Sequence, residues 1–147
     1  MNINSTSMPI AVGLGCDRGT PLATLQLALD EALTLAGARL SDVAAVASID
    51  LKADESGLLA LVAQHGWTLT FYTPEQLATV SVPNPSETVR KYTGSPSVSE
   101  AAALLSASTV AGRIVPAAAL LVEKYKHRGP DGRNATVSLA RCDRFCS

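Results

Sequence analysis

A glycine-containing loop between an apolar run and an amphipathic segment constrains the fold of this chain more than any other feature. The apolar residues 8–12 are followed by GLGCDRGT, residues 13–20, and then by Pro21. Glycine adopts backbone conformations that a Cβ forbids, so the three glycines permit a tight loop. Thr20 before Pro21 is typical of a helix start, with a hydroxyl cap and a ring already set at the helical φ. The pattern predicts a strand, a loop and a helix in succession.

A loop at this position also indicates a ligand. Backbone N–H groups at the start of a helix have no intrahelical partner and favour a small anion. The loop is not a P-loop, because no Gly-Lys-Ser/Thr ends it. It is not a dinucleotide fingerprint either, because Arg18 stands where the third glycine would be. A glycine turn without any ligand stays open as the alternative.

The composition is that of an α/β domain with an aliphatic core. The 147 residues fit one domain, and 47% are hydrophobic while only 4% are aromatic. We expect a disordered lead over residues 1–8, one domain over residues 9–141 and a tail over residues 142–147. No apolar stretch approaches the roughly 20 residues that cross a bilayer, and residues 1–7 lack a signal-peptide pattern. We therefore expect no membrane partner.

The cysteines favour a reducing compartment and argue against a metal site. There are three, an odd number without framework spacing, which fits the cytoplasm. Cys142 and Cys146 lack a second ligand pair, so we expect no metal and no cofactor held by the protein. Cys16 lies in the glycine loop. It is either a small residue that fits a tight turn or a nucleophile. No histidine is adjacent in sequence to activate it, which favours the first interpretation.

Charge is distributed unevenly along the chain. The net charge of −1 argues against a nucleic-acid partner. Residues 1–112 carry five basic and ten acidic side chains, whereas residues 113–147 carry seven basic and three acidic ones. The basic end is either a solvated hairpin or a wall for a ligand with several carboxylates. Its basic residues are Arg113, Lys124, Lys126, Arg128, Arg133, Arg141 and Arg144.

Hydrophobic periodicity predicts five strands with helices between them. The predicted strands span residues 9–13, 43–49, 67–72, 118–125 and 134–140. The predicted helices span residues 21–36, 55–65 and 98–107, with shorter ones beginning near residues 73 and 87. Strands and helices alternate in the first half, which predicts a parallel sheet with helices on its faces. The fold class is therefore α/β: a single domain with a mainly parallel sheet flanked by helices and a C-terminal antiparallel hairpin.

Three polar segments follow strands at the edge where open α/β sheets bind ligands. They are residues 13–20, 48–55 and 82–87. The second segment, SIDLKADE, brings Asp50, Lys52, Asp54 and Glu55 to this edge. Carboxylates near a lysine suit acid–base chemistry. They also suit the start of a helix, whose dipole stabilises acids, and the spacing favours this second interpretation.

Five motifs occur in order along residues 9–141. They are GLGCDRGT, SIDLKADESGLLAL, VPNPSETV, SPSVSEAAALL, and LLVEK with NATVSLA. Together they resemble the successive motifs of the CobE / CbiG C-terminal domain family of cobalamin biosynthesis. The resemblance implies an α/β domain that handles corrin-ring precursors, which are macrocycles fringed with acetate and propionate carboxylates. Such carboxylates need charged donors or backbone N–H groups.

The resemblance and the glycine loop together imply a set of ligand-binding residues. They are Gly13, Gly15, Cys16, Arg18, Gly19, Thr20, Ser48, Lys52, Asn84, Ser86, Glu87 and Lys124. If the protein is an enzyme, Asp50 or Glu55 would activate water, and Lys52 would stabilise the oxyanion. The lengthened turn between Lys126 and Asn134 departs from the family pattern.

The resemblance leaves three functions open. The first is a cytoplasmic carrier or accessory protein that binds a corrin-ring intermediate in the aerobic pathway. The second is a hydrolase of a precorrin lactone, as implied by CbiG, in which a domain like this one forms the C-terminal part. The third is a scaffold whose partners are other enzymes of the cobalamin pathway, with the loop at Pro83 and the basic hairpin as contacts.

Overall fold

Five strands form one mixed sheet in the structure, a computed structural model that describes residues 9–80 and 97–142. The strands are β1 (Ile10–Cys16), β2 (Val43–Ile49), β3 (Leu69–Tyr72), β4 (Leu120–Arg128) and β5 (Asn134–Arg141). The helices in the described part are α1 (Leu22–Ala36), α2 (Ser56–His65), α3 (Pro74–Ala78) and α4 (Ser97–Ala111). None of these helices is long and apolar enough to cross a bilayer. The predicted α/β class is confirmed.

Several predicted features lie outside the described residues. They are the lead at residues 1–8, the loop at residues 82–86, the helix beginning near residue 87, the tail after residue 142, and the site residues Asn84, Ser86 and Glu87.

The strand order is β3-β2-β1-β5-β4. The strands β1, β2 and β3 are parallel, and β5 runs antiparallel to both β1 and β4. The predicted parallel sheet with an antiparallel hairpin at one edge is therefore correct. Because of this order, the carboxyl ends of β1, β2, β3 and β4 lie along the same edge as the hairpin turn at residues 129–133. We call this the carboxyl edge.

The core lies on both faces of the sheet. On one face, Leu25 and Leu29 of α1 and Leu58 of α2 pack against Val12 and Val46. On the other face, small side chains let α4 approach the sheet closely. The buried alanines of this second face include Ala11, Ala47, Ala102, Ala103 and Ala107.

Gly13 belongs to this close packing. It was predicted as both the last residue of the first strand and the first residue of the glycine loop, and the structure places it in the strand. It lies within β1, and a Cβ there would sit 2.0 Å from the Ser99 carbonyl oxygen and 2.7 Å from the Ala103 nitrogen. Both atoms are backbone of α4, so only glycine fits under the helix. β1 runs on to Cys16 because it is a central strand, paired with β5 through Cys16 and Ala135.

The start of α1 also differs from the prediction. Its N-cap is Pro21, without a side-chain cap. The Thr20 hydroxyl instead donates to the Asp17 carbonyl oxygen at 2.7 Å, which closes the loop on itself. With Gly13 to Cys16 in the strand, the true loop is Asp17 to Thr20.

Helix and strand ends differ elsewhere by a few residues. The helix predicted over residues 98–107 extends to Ala111, and β4 extends to Arg128. Trp67 precedes β3 and stacks on His65, with ring centroids 4.3 Å apart. Stacking and packing against the core next to α1 and α2 hold Trp67 outside the strand ladder.

Candidate functional site

Three connections meet at the carboxyl edge. They are the loop Asp17 to Thr20 after β1, the segment from Asp50 to Glu55 after β2, and the hairpin turn at residues 129–133. We call them the first loop, the second loop and the hairpin turn. Side-chain hydrogen bonds and ion pairs between residues far apart in sequence join all three.

Arg18 links the first loop to the second. Its guanidinium donates from Nη1 to Asp54 Oδ1 at 3.0 Å and from Nη2 to Asp54 Oδ2 at 3.2 Å. Nη1 also lies 3.0 Å from Glu55 Oε2. The hydrogen bond and charge of Arg18 lower the pKa of Asp54. Arg18 is therefore already paired with two carboxylates of its own chain, Asp54 and Glu55.

Glu55 occupies the place that the sequence predicts for a ligand anion. Its side chain is only 4% exposed, and Oε1 accepts a hydrogen bond from the Gly19 amide at 2.9 Å. The Thr20 amide donates to the Asp17 carbonyl oxygen at 3.2 Å. Both amides thus have an acceptor inside the protein. The Gly19 amide engages Oε1 of Glu55 and the Arg18 guanidinium engages Oε2, so both carboxylate oxygens already have a partner within the protein.

Gly57 permits this arrangement, although the sequence analysis did not single it out. A Cβ at Gly57 would lie 2.3 Å from the Thr20 carbonyl oxygen and 3.2 Å from the Leu22 nitrogen. The first turn of α2 therefore touches the backbone of the first loop. A glycine in the first turn of a helix, where alanine would be more stable, is the signal that could have indicated a close approach.

The hairpin turn closes over the other side of the first loop. Arg133 donates from Nε to the Arg18 carbonyl oxygen at 2.9 Å and pairs with Asp131 at 3.1 Å. Asp17 Oδ2 accepts from the Asn134 amide at 2.8 Å and from its side chain at 3.1 Å. Gly19 has a φ of +78°, and a Cβ there would approach Arg133 Nε to 3.2 Å. The first loop therefore requires glycine at position 19, because other residues rarely adopt this positive φ.

Two predicted cations, Arg18 and Lys52, come together, and the third does not. Lys52 is half-buried and near enough for its charge to act on Cys16 and Asp54. Lys124 lies within β4, in the irregular stretch between Val122 and Tyr125, away from the carboxyl edge. Lys124 therefore does not lie beside Arg18 and Lys52 at this edge.

Two other basic residues of β4, Lys126 and Arg128, lie nearer to the carboxyl edge than Lys124 does. Arg128 pairs in the ladder with Asn134, which is bound to Asp17, and Lys126 lies two residues before it. Both side chains are exposed. Within the described residues, neither Lys126, Arg128 nor Lys52 forms an ion pair. Lys126 and Arg128 were predicted only as members of the basic end of the chain.

The remaining predicted site residues lie in the sheet or at its rim. The Ser48 hydroxyl is buried and donates to the Leu14 carbonyl oxygen at 2.7 Å, which joins β2 to β1. Gly15 is in β1, and a Cβ there would meet Thr136 Cβ at 3.9 Å. Asp50 is exposed, and its carboxylate has no hydrogen bond or ion pair within the described residues.

Cys16 is half-buried at the end of β1. Burial raises the pKa of its thiol, and the positive charge of Lys52 only partly opposes that effect. A thiol in this state is a poor nucleophile at neutral pH. Among residues 9–80 and 97–142, no three side chains of the metal-binding types cluster so as to hold an ion.

An apolar hollow of about 310 Å³ lies along the second half of α4, away from the carboxyl edge. Its lining includes Leu104, Leu105, Ile114 and Val115, and the described residues contribute no basic side chain to it. It does not match a polycarboxylate ligand.

Comparisons with known proteins agree with the resemblance in the motifs. The family model described as "Cobalamin synthesis G C-terminus" matches residues 10–140. The chain is 37% identical over 108 residues to Protein CobE from Sinorhizobium sp, covering 72% of this chain and 70% of that protein. The crystal structure of CobE, a protein from the cobalamin biosynthetic pathway, superposes with a TM-score of 0.75 at 34% identity, covering 91% of this chain and 90% of that one.

A second curated relative is larger. The chain is 41% identical over 96 residues to Cobalt-precorrin-5A hydrolase from Priestia megaterium. The match covers 65% of this chain and 26% of the hydrolase, so the chain spans about a quarter of that protein.

Proposed function

The chain belongs to the cobalamin synthesis G C-terminus family, and on that premise we propose that it binds a corrin-ring intermediate through the carboxylates of that ligand, as a carrier or accessory protein. Such an intermediate is a wide macrocycle with several acidic side chains. A site for it needs cations spaced across a broad surface rather than a deep, narrow pocket.

The distribution of unpaired cations supports this proposal. Lys52 follows β2 on one side of the first loop, and Arg128 ends β4 on the other side. The two strands are three strand spacings apart, roughly 14 Å. A macrocycle fringed with carboxylates can bridge such a span, whereas a single small acid cannot. Lys126 adds a further positive charge beside Arg128.

Titration with a carboxylated corrinoid tests the proposal. The probe is cobyrinic acid, whose side chains are free carboxylates, and the matched ligand is a corrinoid with amidated side chains. We expect a change in the visible spectrum and co-migration on gel filtration with the acid only. An unchanged spectrum without co-migration would overturn the proposal.

Variants locate the site in the same experiment. Lys52→Gln and Arg128→Gln should each weaken binding by about two- to fivefold, as expected for water-screened charged contacts. Arg39→Gln is the control, because it removes the same charge before β2, at the opposite edge. Equal losses in all three variants would count against a site at the carboxyl edge.

A hydrolase is the second candidate, favoured by the 41% identity to the protein named Cobalt-precorrin-5A hydrolase. Because Glu55 is engaged by Arg18 and Gly19, Asp50 is the acid available to activate water, with Lys52 nearby to stabilise an oxyanion. Asp50→Ala should then abolish lactone opening and leave ligand affinity nearly intact. Full cobalamin synthesis by cells that carry only Asp50→Ala would exclude this role.

A further inference from the structure

Arg18 is held by two carboxylates that differ in how easily they can be replaced. Glu55 is 4% exposed at its side chain and also holds the Gly19 amide, so releasing it would break the first loop from α2. Asp54 is 71% exposed at its side chain, and among the described residues its carboxylate contacts only the guanidinium of Arg18. Arg18 itself is 64% exposed. The outer edge of the Arg18 guanidinium is therefore covered only by Asp54, an exposed side chain that another carboxylate could replace.

The bidentate contact between Arg18 and Asp54 is the geometry that arginine offers to any carboxylate. A ligand carboxylate would take the same two N–H groups. Exchange of one exposed carboxylate for another yields little net free energy, because both pairs are similarly solvated. The exchange becomes favourable only when the incoming carboxylate belongs to a ligand that also reaches other cations, since the tethered contacts act together.

We propose that Asp54 is an internal competitor that sets the affinity and selectivity of the carboxylate site, so that polycarboxylate ligands bind at Arg18 and single acids do not. This inference rests on the proposed function and names a role for a residue beside the predicted site. In the bound state the ligand carboxylate accepts from Arg18 Nη1 and Nη2, and Asp54 turns into solvent. Glu55 stays in place and holds the first loop.

Removal of the competing charge tests this role. Asp54→Asn should strengthen binding of cobyrinic acid by about two- to fivefold, the range that corresponds to an exposed ion pair. It should also allow measurable binding of propionate, which has one carboxylate and which the wild-type protein should not bind. Asp54 is exposed, so the variant should fold as the wild type does.

A double-mutant cycle separates competition from a general change of charge. In an Arg18→Gln background, Asp54→Asn should bring no gain, because the group for which Asp54 competes is absent. Asp131→Asn is a second control, since it removes the same charge from the other arginine pair at this edge. A gain that persists without Arg18, or an equal gain in cobyrinic acid affinity from Asp131→Asn, would overturn the inference.

The outcomes also separate this inference from the proposed function. If the wild-type protein binds cobyrinic acid and Asp54→Asn binds no better, the competitor role is wrong and the binding function stands. If only Asp54→Asn binds, the inference as stated is wrong, because it requires a polycarboxylate to displace Asp54 in the wild-type protein. If neither binds, both proposals fail.

Discussion

A single buried carboxylate holds the carboxyl edge together at the scale of one residue. Glu55 accepts from the Gly19 amide and pairs with Arg18 while almost entirely removed from water. A buried acid without partners would be costly, so these contacts explain why a glutamate is stable there. Its role in the structure is to order the first loop.

Glu55→Gln should lower the free energy of unfolding by about 1–3 kcal/mol. The amide can still accept from Gly19, but the charge that faces Arg18 is lost. Urea denaturation at neutral pH measures the effect. Asp54→Asn is the matched control, because it removes the exposed partner of the same arginine and should change stability much less than Glu55→Gln does. A larger loss for Asp54→Asn would contradict this account.

Cys16 gives a prediction about pH. Because burial raises the pKa of its thiol, Cys16 should react with iodoacetamide more slowly than glutathione at pH 8. The folded state holds this proton more tightly than the unfolded state does, so the associated stability is present below the unfolded thiol pKa. It is lost as pH rises through the folded pKa. Wild-type protein should therefore lose more stability in alkali than Cys16→Ser.

Site-resolved mass spectrometry distinguishes Cys16 from the other cysteines in the alkylation experiment. Preferential labelling of Cys16 at pH 7 would show a depressed pKa and would restore the nucleophile interpretation.

At the scale of elements, the contact between β1 and α4 depends on a missing side chain. Gly13 and Gly15 lie two residues apart in one strand, and neither has a positive φ. Their surroundings differ, since α4 backbone lies directly over Gly13 while the nearest described atom to a Cβ at Gly15 is 3.9 Å away. A side chain is therefore excluded at Gly13, whereas the described surroundings of Gly15 leave room for a Cβ.

Gly13→Ala should destabilise the fold by about 2 kcal/mol or more, because backbone atoms of Ser99 and Ala103 cannot move aside without shifting α4. Gly15→Ala should change stability by less than about 1 kcal/mol in either direction. Thermal and urea unfolding of the pair measure the difference. Similar losses in both variants would mean that the β1 backbone, and not the helix contact, selects glycine.

At the scale of the whole molecule, charge is gathered from segments that are distant in sequence. The second loop supplies Lys52, and the far end of β4 supplies Arg128. The sheet order places both along one edge, with the first loop between them. A broad ligand would contact them as independent groups.

The effects of Lys52→Gln and Arg128→Gln on cobyrinic acid binding should therefore multiply, because groups separated by roughly 14 Å couple weakly. Binding should also weaken as salt rises, and less steeply in the double variant. Isothermal titration at two salt concentrations measures both effects. A double variant no weaker than either single one would show that the ligand does not span the edge.

Local patterns predicted much of this architecture. The helices α1 and α2 end at residues 36 and 65, as predicted, and each is followed by a glycine with a positive φ, Gly37 and Gly66. The β2 bounds agree at both ends, and the hairpin joins at the glycine-rich turn. Those features depend on neighbours within a few residues, which is why periodicity and turn chemistry reveal them.

The chain by itself determined the strands, the helices and their parallel order, since hydrophobic spacing and short connections leave few alternatives. Only the tertiary structure decided which side chains meet. Arg18 reaches Asp54 across 36 positions, and Arg133 reaches the Arg18 carbonyl across 115. The same is true of the extension of β1 to Cys16, the engagement of Glu55 and the distance of Lys124 from the edge. Contacts over such separations depend on how the sheet stacks its edges, and no local pattern encodes that.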